Sequence, residues 1–142
     1  MPLEADLAGQ LIAALEQAAP DSLASAYLFG SRAEGHPHLE SDVDVGVLFR
    51  PDMLRTSRER FDAGLVVSSR LQAALGTTRI DVVVLNDAPA GLGRHVVVTG
   101  RRLVCPDAGA DHAFVRDVQL RAADLAPFLR RARRIKLEAM AR

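Results

Sequence analysis

The spacing of hydrophobic positions changes along the chain, and each change marks an element. Leu7, Leu11, Ile12, Leu15 and Ala18 recur at the spacing of one helix face and Pro20 closes the run, which predicts a first helix from about Glu4 to Ala19. Leu23 to Phe29 is a short continuous apolar run, the pattern of a buried strand. Gly30 to Arg32 opens a short helix or turn, and Gly35-His36-Pro37 breaks it. Val43 to Phe49 reads as a second strand. Strand side chains alternate, so Val43, Val45, Val47 and Phe49 share one face and Asp42, Asp44, Gly46 and Leu48 the other. After a turn at Arg50-Pro51-Asp52, Ser57 to Leu75 returns to helical spacing, with Phe61, Leu65, Ser68 or Ser69, Leu71 and Leu75 inward and Gly76 as the stop. Arg79 to Leu85 is a third strand. Asp87-Ala88-Pro89 caps a helix running to about Thr99, Gly100 ends it, and Arg101 to Cys105 is a short strand. From Asp111 onward the pattern is helical again, through Phe114, Val118, Leu125, Phe128, Leu129 and Ile135, with Pro127 kinking or splitting it. The sum is an α/β or α+β domain with three to four strands flanked by helices.

Bulk composition narrows the function classes. The 142 residues suit one domain, 49% hydrophobic content supports a real core, and 25% charged residues is ordinary. Lys plus Arg and Asp plus Glu are both 18, so the net charge is zero and no direct nucleic-acid binding is expected. Only the C-terminus is locally basic, through Arg130, Arg131, Arg133, Arg134, Lys136 and Arg142. Those residues are either a solvated helix face or a docking surface for an acidic partner. A single cysteine, Cys105, excludes an intrachain disulfide and a cysteine metal cluster, and reads as a small buried apolar residue. The acidic start Met-Pro-Leu-Glu-Ala-Asp and the lack of a long apolar run predict a cytoplasmic protein without membrane association.

The chemistry concentrates between Leu28 and Phe49. An apolar strand ends in Gly30-Ser31, ten residues follow, and the next strand begins with Asp42-Val43-Asp44. Two carboxylates on one strand face repel unless a cation lies between them. A divalent metal is the usual cation, and Mg²⁺ is commonly held by one or two carboxylates together with substrate phosphates. A Gly-Ser turn after a strand offers backbone N–H groups and a hydroxyl to an anion. A third carboxylate, Asp81, sits inside the otherwise apolar third strand, where it is costly unless paired or bound to metal. It is expected near the middle of the sheet, beside Asp42 and Asp44. Three carboxylates beside a Gly-Ser turn fit a two-metal phosphoryl-transfer site. Blander readings exist for each part. Asp42 and Asp44 could be a solvated strand edge, and Asp81 could pair with Arg79 or Arg94. Arg32 could be a surface residue, an Asp partner or a phosphate fork, and His36 and His38 plain loop histidines or nucleotide contacts.

Gly-Ser, ten residues, Asp-x-Asp and a later strand Asp together resemble the DNA polymerase β-like nucleotidyltransferase superfamily. Gly-Ser-Arg-Ala-x-Gly and Ser-Asp-x-Asp make the chain similar to its minimal (MNT) members, including the MntA-like antitoxins of HEPN–MNT toxin–antitoxin pairs. The resemblance spans roughly Leu7 to Cys105. It implies a small mixed sheet with helices packed on it, and transfer of AMP from ATP to a tyrosine of a partner HEPN RNase. It also implies Gly30 and Ser31 at the triphosphate, with Arg32 one step past the turn placed to reach phosphate oxygens, and Asp42, Asp44 and Asp81 as catalytic ligands of two Mg²⁺ ions, with Asp81 helping to deprotonate the attacking hydroxyl. On this reading residues 1–110 are the nucleotidyltransferase core and 111–142 a helical extension that docks the partner in a heteromeric complex. The rivals are the same core with a small-molecule acceptor, and an antitoxin that neutralises by binding alone.

Overall fold

The computed structural model of the protein describes residues 3–30 and 42–123. The order of elements is α1 (Leu3–Ala18), β1 (Leu23–Phe29), β2 (Val43–Phe49), α2 (Ser57–Leu75), β3 (Ile80–Val84), a 3-10 turn (Leu85–Asp87), α3 (Ala90–Thr99) and β4 (Arg101–Val104). A last helix, α4, begins at residue 108 and is described as far as residue 123. The turn expected at Ser31 and Arg32, the loop around His36 and His38, the kink at Pro127 and the basic run from Arg130 lie outside the described residues.

The strands form one mixed sheet in the order β3-β2-β1-β4. β1 runs antiparallel to both β2 and β4, whereas β2 and β3 are parallel. A parallel neighbour cannot follow by a hairpin, and α2 supplies the crossover. The alternation in β2 sorts as the pattern predicts. Val43, Val45, Val47 and Phe49 join Leu11, Leu15, Val67 and Leu71 in a core beneath α1 and α2. Leu48 packs on the opposite face with Tyr27, Phe29, Leu85 and Val96, and Phe114 of α4 lies against that cluster. The sheet is therefore the middle of three layers.

Three expectations are corrected. The inward face of α2 is Gly64, Val67 and Leu71, whereas Phe61 and Leu65 are 58% and 54% exposed. Gly64 fixes this rotation, because a Cβ there would lie 2.8 Å from Val84 Cγ2, so α2 reaches the sheet closely only where the side chain is missing. Asp87 does not cap α3, whose N-cap Pro89 makes no side-chain hydrogen bond. The Asp87 carboxylate instead accepts two hydrogen bonds from Arg60, at 2.9 and 2.8 Å. Finally, β3 is an edge strand and Asp81 is exposed, so the carboxylate carries no burial cost that needs a partner. At the other α2 boundary the reading holds: Gly76 caps the helix in the left-handed region at φ 68°.

Candidate active site

β1 ends where β2 and β3 begin, and the three carboxylates meet at that edge of the sheet. Asp44 pairs across the antiparallel ladder with Phe29 and across the parallel ladder with Asp81. Side chains in register on parallel neighbours point to the same face, so Asp44 and Asp81 are adjacent and Asp42 lies two residues before Asp44 on that side. The exposed edge that removes the burial cost from Asp81 still brings it to Asp44.

Gly30 closes the site from the β1 side. Its φ is +79°, in the left-handed region, and a Cβ there would stand 2.3 Å from Asp44 Oδ2. The glycine is thus required twice, by the turn of the backbone and by the carboxylate lying against it. Ser31 and Arg32, expected beside it at the phosphates, fall outside the described residues.

The electrostatics follow the crowding. The Asp44 carboxyl is pushed above the ordinary carboxylate range, first by burial, then by the charges of Asp81 and Asp42. Among the described residues one cation touches the cluster: Arg79 Nε donates to Asp42 Oδ1 at 3.2 Å. The alternative partner weighed for Asp81 is therefore spent on a different aspartate, and no ion pair joins Asp81 to Arg79 or Arg94 among the described residues. Arg79 is itself held by register, since its carbonyl accepts from Val43 N at 2.9 Å and its N–H donates to Thr77 Oγ1 at 3.1 Å. The i, i+2 spacing of Arg79 and Asp81 was a sequence signal for a cation on the same side as the carboxylates.

The chemistry of this donor set suits a hard divalent cation, because hard-oxygen ligands meet at one edge of the sheet and the middle one is destabilised by burial and by its two acidic neighbours. Among the described residues no three His, Cys, Asp or Glu side chains form a group that could by themselves hold a metal ion.

A second polar cluster escaped sequence reasoning. Ser25 and Tyr27 on β1 both donate to Asp111 Oδ1, at 2.7 and 2.5 Å, and Arg102 Nη1 donates to Asp111 Oδ2 at 3.2 Å. Asp111 is 3% exposed and Ser25 fully buried. Burial, then the bond and charge of Asp111, drive the Tyr27 pKa far up. The network ties the start of α4 to β1. Its signal was two hydroxyl residues at strand spacing in an apolar run. Cys105, expected to be buried, is only half-buried beside this cluster, and its thiol pKa is raised by burial and by Asp111.

Comparison with known proteins places the arrangement. The family model described as polymerase beta, nucleotidyltransferase matches residues 10–109. No curated protein matches. Among solved structures, a chain of a toxin–antitoxin structure with AMP-PNP is 24% identical, with TM-score 0.67, over 95% of this chain and 98% of that one. A chain of the tri-AMPylated HEPN toxin in complex with MNT antitoxin from Shewanella oneidensis is 21% identical, with TM-score 0.63, over 99% and 100%. A putative nucleotidyltransferase from Sulfolobus solfataricus is 20% identical, with TM-score 0.51, over 75% and 86%. At these identities the likeness is one of fold. The family match covers most of the sequence and includes Gly30 and all three carboxylates, and the chain belongs to the polymerase beta nucleotidyltransferase family.

Proposed function

We propose that this protein is an Mg²⁺-dependent adenylyltransferase that moves AMP from ATP to a tyrosine hydroxyl of a cognate HEPN-family RNase, and so acts as its antitoxin in a cytoplasmic heteromeric complex. The observation that carries the reading is the juxtaposition of Asp44 with Asp81 in register and with Gly30 in contact. The fold likeness to structures containing AMP-PNP and a tri-AMPylated HEPN toxin supports the choice of nucleotide and acceptor. Among the described residues no helix is long and apolar enough to cross a membrane.

In this reading Asp42, Asp44 and Asp81 hold two Mg²⁺ ions, which when bound would activate the attacking oxygen and neutralise the leaving phosphates. Gly30, Ser31 and Arg32 receive the triphosphate, the glycine by letting the backbone approach without a side chain between. The acceptor oxygen bonds to the α-phosphorus as the bond to the bridging oxygen breaks and pyrophosphate leaves. Asp81, exposed at the sheet edge where an outside hydroxyl can arrive, takes the acceptor proton. Residues 1–110 would form the catalytic core and 111–142 the partner-docking extension.

Intact mass spectrometry of the co-expressed RNase partner tests this. A gain of one or more AMP units with the wild-type chain, absent with Asp42→Asn/Asp44→Asn, is the expected result. A stable complex with an unmodified, silenced partner would replace catalysis with neutralisation by binding.

A further inference from the structure

The three carboxylates have one described cationic neighbour, and its position is set by the backbone. Arg79 precedes β3, is pinned to Val43 through its carbonyl and to Thr77 through its N–H, and lies two residues from Asp81. Its guanidinium reaches across to the residue that precedes β2 and engages Asp42, not the in-strand Asp81. Both members of the pair are about half exposed, at 53% and 50%, so the contact is a weak one that can open. A weak pair is poor as a structural tie, yet it occupies an oxygen of one of the three carboxylates that would converge on a cation.

We propose that Arg79 is a placeholder cation: with no divalent ion bound it balances the charge of Asp42 through Oδ1, and it competes with an incoming ion for that carboxylate. The inference rests on the metal-site reading of Asp42, Asp44 and Asp81, and assigns Arg79 a positioning role, not a catalytic one. A competitor for a ligand lowers the ligand's affinity for its ion, so removing Arg79 should tighten metal binding. Loss of a merely structural residue would leave binding unchanged or weaken it.

The test is Mn²⁺ binding to the nucleotide-free protein, followed by electron paramagnetic resonance of the free ion. Wild type, Arg79→Gln, Arg79→Lys and Asp42→Asn/Asp44→Asn are compared, with circular dichroism confirming that each is folded. Arg79→Gln keeps much of the side-chain length without the charge and should bind Mn²⁺ about two- to fivefold more tightly, the range an exposed ion pair can exert. Arg79→Lys should stay near wild type at low salt, because it keeps the competing charge. Unchanged or weaker binding in Arg79→Gln overturns the placeholder role. The carboxylate variant separates the two readings: if it binds Mn²⁺ as wild type does, the metal site itself is wrong, whatever Arg79 does.

Discussion

Gly30 and Gly76 both adopt left-handed backbone, at φ +79° and +68°, but only one stands against a functional group. A Cβ at Gly76 would meet nothing within 4 Å, whereas at Gly30 it would lie 2.3 Å from Asp44 Oδ2 and 3.3 Å from its Cγ. The pair therefore separates backbone strain from displacement of the carboxylate. Gly→Ala at either position forces an L side chain into the left-handed region, at about 1–2 kcal/mol. For a domain of this size that lowers Tm by roughly 3–6 °C. Only Gly30→Ala also drives the Asp44 oxygen back, by about 1 Å to reach ordinary van der Waals contact. Misplacing a catalytic group by about 1 Å costs on the order of 10²-fold in rate. Thermal unfolding and the initial rate of AMP transfer, measured on both variants, should show similar losses of stability and a rate loss in Gly30→Ala alone. Near-wild-type transfer by a folded Gly30→Ala variant would refute the contact between Gly30 and Asp44 as a requirement of the site.

Other expectations follow from the same geometry. Because the Asp44 pKa is raised in the folded protein, the native state binds protons more readily than the unfolded one, and stability falls as pH rises from the ordinary carboxylate range to that raised value. Asp44→Asn should thus abolish transfer yet raise Tm at pH 7, the gain shrinking as pH falls through that window; an equal or lower Tm at pH 7 would contradict the crowding. Asp111→Ala leaves the Ser25 and Tyr27 hydroxyls without their buried acceptor and should cost about 2–4 kcal/mol in urea unfolding, and a loss below about 1 kcal/mol would show that the network is replaceable by water. Phe61→Ser and Leu65→Gln remove side chains that are mostly in water and should each change stability by less than about 1 kcal/mol, against roughly 2–5 for Leu71→Ala in the core.

Much of the fold could be read from the chain because periodicity and burial coincide there. β1 and β2 fall on their predicted residues, and the two faces of β2 separate as alternation requires. The rotation of α2 could not be read the same way. Two stripes of that helix are apolar, and what chooses between them is the missing side chain of Gly64 against Val84, a tertiary contact invisible to spacing. Asp81 shows the same limit. Its presence on a strand was legible, but whether that strand is central or an edge depends on sheet order, and the order reversed the argument about burial while leaving the neighbour relation to Asp44 intact. Arg79 and Asp111 were each visible as residues, but the Asp42 partner of Arg79 lies 37 positions away and the hydroxyl partners of Asp111 lie 84–86 away, beyond any local pattern.

The two ends of the β2–β3 pair are fastened unequally. At the far end Asn86 clasps Phe49 through both its backbone groups, at 2.9 Å each, and Asp87 grips Arg60 with two bonds. At the carboxylate end the described side-chain link is the half-exposed Arg79–Asp42 pair. The ladder resembles a clothes-peg, sprung at the back and held more lightly at the jaws. If the proposed function holds, robustness and reactivity fall to different residues: the back can be reinforced by substitution without touching the carboxylates, while the jaws keep the play that ions and phosphates would need on entering and leaving.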